Sequence, residues 1–225
     1  MNPTISVVNR SRTVSDADIK RNLHALQKQI TRDFEPAWGW GANLRFDARK
    51  FDMKMVIKEH AKGGDLGFHI EGGKPVGYVY AKDDLEAEGE YTSTLSHELL
   101  EMIADPNVNL YAAGPFRFKG RRGVGFFALE VCDPVQENYY KIDGVRVQDF
   151  VLPEWFEEYH KKGSMKMDHM RVLDAPFTLA EGGYTDVFSK GRWHSLTGPR
   201  ATPKPQRHRL LTRMSVMRSG VLPPA

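Results

Sequence analysis

Cys132 has no second cysteine to pair with, which excludes an intramolecular disulfide and any zinc site built from several thiolates. A metal in this chain is therefore expected to be held by histidines and carboxylates. Long apolar runs are also missing. Nothing approaches the roughly 18 apolar residues that a membrane span requires, and the N-terminus lacks the basic-then-apolar plan of a signal peptide. The expectation is a soluble, cytoplasmic protein with no membrane association. No glycine-rich loop of the phosphate-cradling kind occurs. Acidic residues end at Asp186.

What is present suffices for one sizeable domain, alone or with an appendage: 225 residues, 40% hydrophobic and 27% charged. The net charge of +3 conceals an asymmetry. After Asp186, Lys190, Arg192, Arg200, Lys204, Arg207, Arg209, Arg213 and Arg218 supply eight positive charges, so the rest holds 24 basic and 29 acidic residues, a net of −5. Pro199, Pro203, Pro205, Pro223 and Pro224 deny residues 190–225 a continuous helix. This basic arm suits an acidic partner or a nucleic acid, or else serves as a tail that docks without specificity.

The body reads as alternating strands and helices. Ile5 to Val8 is a short strand. Ser15 opens a helix, with Asp18 placed as in a capping box and Val14 with Ile19 as a hydrophobic staple. Ile19, Leu23, Leu26, Ile30 and Phe34 keep helical spacing, and Pro36, Gly39 and Gly41 are its stop signals. Ala42 to Phe46, Met53 to Lys58, Leu66 to Ile70 and Val76 to Ala81 read as strands, with Gly72-Gly73 as a hairpin turn between the last two. Asp143-Gly144 marks another hairpin, and Trp155 with Phe156 are core anchors.

A second helix starts near Thr92 or Ser93 as caps and stops at Asp105-Pro106. It carries His97-Glu98-Leu99-Leu100-Glu101, the zinc-peptidase pattern His-Glu-x-x-His with glutamate in place of the second histidine. Residues four apart share a helical face, so His97 and Glu101 can grip one ion while Glu98 faces its water. Carboxylate oxygen ligates zinc at nearly the distance of imidazole nitrogen. The third ligand is open among Asp105, Glu130 and Asp133. His60 and His69, in or at the end of strands, read as structural histidines, whereas His160 and His169 flank the Lys161-Lys162-Gly163 break and reach a cleft only if the chain returns over it.

The order strand, helix, strand, strand, hairpin, His-Glu helix resembles the upper subdomain of zincin metallopeptidases. More closely, Ser96 to Glu101, Asp105-Pro106 and Leu129-Glu130-Val131-Cys132-Asp133 resemble a group of uncharacterised bacterial and phage proteins described as metallopeptidases, over about residues 4 to 190. The resemblance implies an α+β zincin-like domain over 1–189, with a mixed twisted sheet, an N-terminal helix and a metal-site helix in an upper subdomain (1–105) and a smaller lower subdomain (106–189). It implies a zinc-dependent peptidase with Glu98 as general base, His97, Glu101 and Glu130 as ligands, and Asp133 behind a ligand. Val76 to Ala81 would border the cleft and receive a peptide or protein substrate along a free edge. His160, Tyr139 and Tyr140 are oxyanion-donor candidates. Two carboxylates would cancel the ion's formal charge, slow the hydrolysis and admit manganese or iron(II) beside zinc. The competing expectation is a noncatalytic zincin-fold assembly protein, associated with a virion in the phage case.

Overall fold

Thr4–Asn9 form β1, buried along Ile5 to Val8, as expected of a strand covered on both faces. The computed structural model describes residues 2–61, 66–70, 73–87, 89–118 and 120–199. Two strands run parallel to β1, β2 (Asn43–Phe46) on one side and β3 (Met53–Lys58) on the other. Parallel to β3 lies β5 (Val76–Tyr80), and β4 (Gly67–Ile70) closes the sheet antiparallel to β5, in the order β2-β1-β3-β5-β4. The strand expected to offer a free edge, Val76 to Ala81, is therefore interior, and β4 is the edge. Its last residue, Ala81, instead begins a short helix, α3 (Ala81–Glu86).

Between β1 and β2 the chain crosses over through α1 (Asp16–Lys28), a π-helical turn (Gln29–Phe34) and α2 (Glu35–Trp38). Ser15 caps α1: its Oγ accepts from Asp18 N at 3.1 Å and its hydroxyl donates to the Asp18 carboxylate at 2.6 Å. Pro36 does not end the helix. The wider π turn, in which Glu35 N bonds Ile30 O, accommodates the ring and the missing N–H that would break a regular α-turn. Gly39 ends it instead, in the left-handed conformation with φ 71°.

The second helix, α4 (Tyr91–Ala104), starts earlier than expected, after Glu90, and neither Thr92 nor Ser93 caps it. Ser93 Oγ instead donates back to Glu90 O at 2.7 Å. Beyond α4 come two further hairpins, β6 (Tyr111–Phe118) with β7 (Arg121–Ala128), and β10 (Tyr184–Ser189) with β11 (Arg192–Thr197), the latter turning at Lys190-Gly191 with φ of 52° and 78°. They join in a four-stranded sheet, β11-β10-β7-β6. Glycines blur the pattern of β6 and β7 because large side chains pack on them: a Cβ at Gly114 would fall on the Phe177 ring and one at Gly125 on Val187. The Asp143-Gly144 turn joins β8 (Tyr139–Ile142) to β9 (Val145–Gln148), with φ of 51° and 83° at its two residues.

The basic arm does not begin at residue 190. Arg192 to Thr197 pair with Ser189 to Tyr184 along the whole of β10, so these residues belong to the sheet. Residues 200–225 lie outside the described residues, as does Gly72 of the proposed turn between β4 and β5. The fold is mixed α+β, with several sheets and few helices. One apolar cluster runs from Ile5 and Leu26 through Leu99 to Trp155 and Val187, across the boundary expected at 105/106. Among the described residues no helix is long and apolar enough to cross a membrane.

Candidate metal centre

Helix α4 is buried from Ser93 to Ala104 apart from Thr94. Leu95, Leu99, Leu100, Met102 and Ile103 account for its packing. Its polar stripe is therefore no solvated face but points into the protein, where ionisable groups have to be satisfied chemically. A buried hydrogen-bond chain locks the helix in place: Ser96 Oγ donates to Gln29 Oε1 (2.7 Å), Gln148 N donates to Ser96 Oγ (3.0 Å), and Gln29 Nε2 donates to Gln148 O (2.8 Å). The π-helical turn, α4 and β9 are thereby tied together one residue before His97.

His97 Nε2 lies 3.1 Å from Glu101 Oε1, one helical turn on, and 3.2 Å from Asp133 Oδ1, which opens a 3-10 turn (Asp133–Val135) after β7. When protonated it forms an ion pair with both. One imidazole nitrogen flanked by two carboxylate oxygens suits either a protonated imidazolium or, once that proton leaves, a metal ion in its place. With zinc bonds of about 2.0–2.2 Å, a tetrahedron has ligand-to-ligand edges of about 3.3–3.5 Å, close to both separations. Glu130 joins Glu101 and Asp133 in one group, with ligand atoms within 4.8 Å of one another. Cys132 joins His97 and Glu101 in another. Its N–H faces Glu101 Oε1 at 3.3 Å, and its thiol faces His97 O at 3.8 Å.

A third group unites His69, Glu98 and Glu101. His69 comes from β4, where Gly67 lets the strand lie against the helix: a Cβ there would stand 2.8 Å from Glu98 Cγ. His69 Nδ1 is 3.5 Å from Glu98 Oε2, and its Nε2 is 3.1 Å from the Asp105 carbonyl. Four carboxylates, two imidazoles and a thiol thus share one interior volume, none of these residues more than 5% exposed.

Burial alone would lower the pKa of His97, but the charges of Glu101 and Asp133 outweigh it and push it up to about 10. Burial raises the Cys132 thiol well above its ordinary range, and Glu101 and Asp133 raise it further, so it stays protonated unless a metal displaces the proton.

His97, Glu98, Glu101, Glu130 and Asp133 lie within these adjoining buried groups. Asp105 is not. Its two oxygens accept from Asn109 N (3.0 Å) and Leu110 N (2.9 Å), and its carbonyl faces His69 Nε2 at 3.1 Å. The oxyanion candidates are engaged elsewhere: Tyr139 donates to Glu137, Tyr140 to Asp33, and His160 Nε2 pairs with Glu157 at 2.7 Å. Two members are not among the expected ligands: His69 reads as a structural histidine and Cys132 as a lone thiol. His69 is far upstream of the helix, and only the sheet brings it back. One thiol makes no thiolate cluster, but it can complete a mixed site. A further group, His60 with Asp83 and Glu86, is solvent-facing. Comparison with protein-family models, curated proteins and solved structures finds no match.

Proposed function

We propose that the protein is a zincin-like metallopeptidase in which a divalent ion, zinc by analogy, is held by His97, Glu101 and a carboxylate of the 130–133 segment. The observation that carries this reading is the convergence of Glu101 and Asp133 on one imidazole nitrogen, at 3.1 and 3.2 Å. The ion would supply an acidified water. Glu98, next to His97 on the helix, is the residue to take that water's proton, and His97 and Glu101 hold the geometry. A peptide would approach along β4, the edge strand that touches Glu98, and add to it through backbone hydrogen bonds. A carboxylate-rich ligand set predicts slow turnover and tolerance of manganese or iron(II).

A second reading rests on burial. The side chains of His97, Glu98, Glu101 and Asp133 are 5, 2, 0 and 1% exposed, and closed metal sites are structural more often than catalytic. On that reading the ion staples α4 to the 130–133 segment of a noncatalytic assembly protein.

Glu98→Gln separates the two. Under the peptidase reading the variant keeps the ion held by His97 and Glu101 and loses chelator-sensitive hydrolysis of casein or a peptide library by about 100-fold or more. Equal activity in wild type and variant removes Glu98 from the mechanism. Metal-loaded wild type without turnover on any peptide leaves the structural reading.

A further inference from the structure

We infer that the centre holds two divalent ions, the second taken by His69 Nδ1, Glu98 and a shared Glu101 carboxylate. The inference rests on the reading above for the first ion only. The Asp105 carbonyl can only accept, so His69 Nε2, 3.1 Å away, carries a hydrogen, which leaves Nδ1 as the ring nitrogen that can offer a lone pair to an ion. That nitrogen is buried, makes no hydrogen bond, and faces Glu98 Oε2 at 3.5 Å. The gap is too long for a good hydrogen bond. It is the length of a tetrahedral edge around an ion, about 3.3–3.5 Å.

Glu101 belongs to all three buried groups, with His97 and Cys132, with Glu130 and Asp133, and with His69 and Glu98. A carboxylate has two oxygens and can bridge ions about 3.5–4 Å apart, the usual spacing of two-metal sites. Glu98, Glu101, Glu130 and Asp133 are all buried. When ionised they carry a formal charge equal and opposite to that of two divalent ions. One nitrogen and several carboxylate oxygens at the second position suit manganese, iron(II) or zinc. Glu98 cannot ligate this ion and act as a free base at once, so occupancy is read by stoichiometry rather than by turnover.

The full chain, stripped with chelator, is titrated with Mn(II) or Zn(II) and its bound metal counted by elemental analysis. Wild type is expected to take up about two ions per chain, His69→Ala and His69→Phe about one, and Glu101→Ala neither tightly. Mn(II)-loaded wild type should show an exchange-coupled paramagnetic spectrum that the His69 variants lack. This spectrum stands even where a variant folds poorly. One ion in wild type, with no coupling, overturns the second position and leaves the first intact. No ion in wild type overturns both.

Discussion

Asp133 and Glu130 compete for one role, and their positions rank them. Asp133 Oδ1 lies 3.2 Å from His97 Nε2, whereas Glu130 is grouped with Glu101 and Asp133 and not with His97. Asp133→Ala should therefore lower metal affinity by more than the about 10–100-fold that loss of an outer partner costs, and Glu130→Ala by less. Asp105→Ala should leave the metal content near wild type, since its carboxylate holds Asn109 N and Leu110 N. Equilibrium dialysis on the three variants checks the order. A second buried pair, Asp149 and Asp168, sets a pH dependence. Burial, then the neighbouring Asp168 charge, pushes Asp149 up to about 8 from 3.8. Asp168 spends its oxygens on Val172 N (2.9 Å) and Leu173 N (2.7 Å). Unfolding between about pH 4 and 8 thus releases a proton, so this contribution is intact below about pH 4 and lost as the pH rises through about 8. Asp149→Asn keeps a neutral donor toward Asp168, and thermal melts should show it more stable than wild type at pH 8, by on the order of a few kcal/mol, with little difference at pH 4.

At the scale of elements, β11 decides where the chain can be cut. It pairs with β10 from Ser189↔Arg192 to Tyr184↔Thr197, and its partners Thr185 and Val187 in β10 are buried. A chain ending at residue 190 loses this strand and exposes the β10 edge, an invitation to aggregate. A chain ending at residue 199 keeps it. The longer truncation should melt within about 0.5 kcal/mol of the full chain, as changes away from packed features do. The shorter one should be insoluble or destabilised by several times that amount. Equal melts would show that β11 contributes no stability to the sheet.

For the whole molecule the matter is charge. Residues 1–199 carry 26 basic and 29 acidic residues, and residues 200–225 add Arg200, Lys204, Arg207, Arg209, Arg213 and Arg218 with no acidic residue. Removing 200–225 should leave metal uptake unchanged, because the buried groups lie wholly within residues 69–133. It should weaken binding to an acidic protein or duplex DNA. In the full chain, log affinity for DNA should fall with log salt at a slope of up to about −5, from six released counterions. Fluorescence anisotropy at low and high salt reads both effects. Truncated and full chains binding alike would leave the segment without an electrostatic role.

The sequence by itself determined what is local. Ser15 as cap, the Asp143-Gly144 turn, β3 over Met53–Lys58 and the end of α4 at Asp105 all follow from backbone chemistry within a few residues. So did the pairing of His97 with Glu101, because helical periodicity fixes that distance wherever the helix lies. Tertiary structure decided what comes from afar. It made Val76–Tyr80 interior and β4 the edge, since strand order depends on crossovers that local patterns do not encode. It folded Arg192–Thr197 into a sheet although composition placed them in an arm, because pairing with β10 outweighs their charge. It turned the Asp105 carboxylate to the backbone beyond the helix, and it brought Asp133 to His97 and His69 to Glu98. Ligand geometry depends on the approach of separate segments, which only packing around a common core brings about.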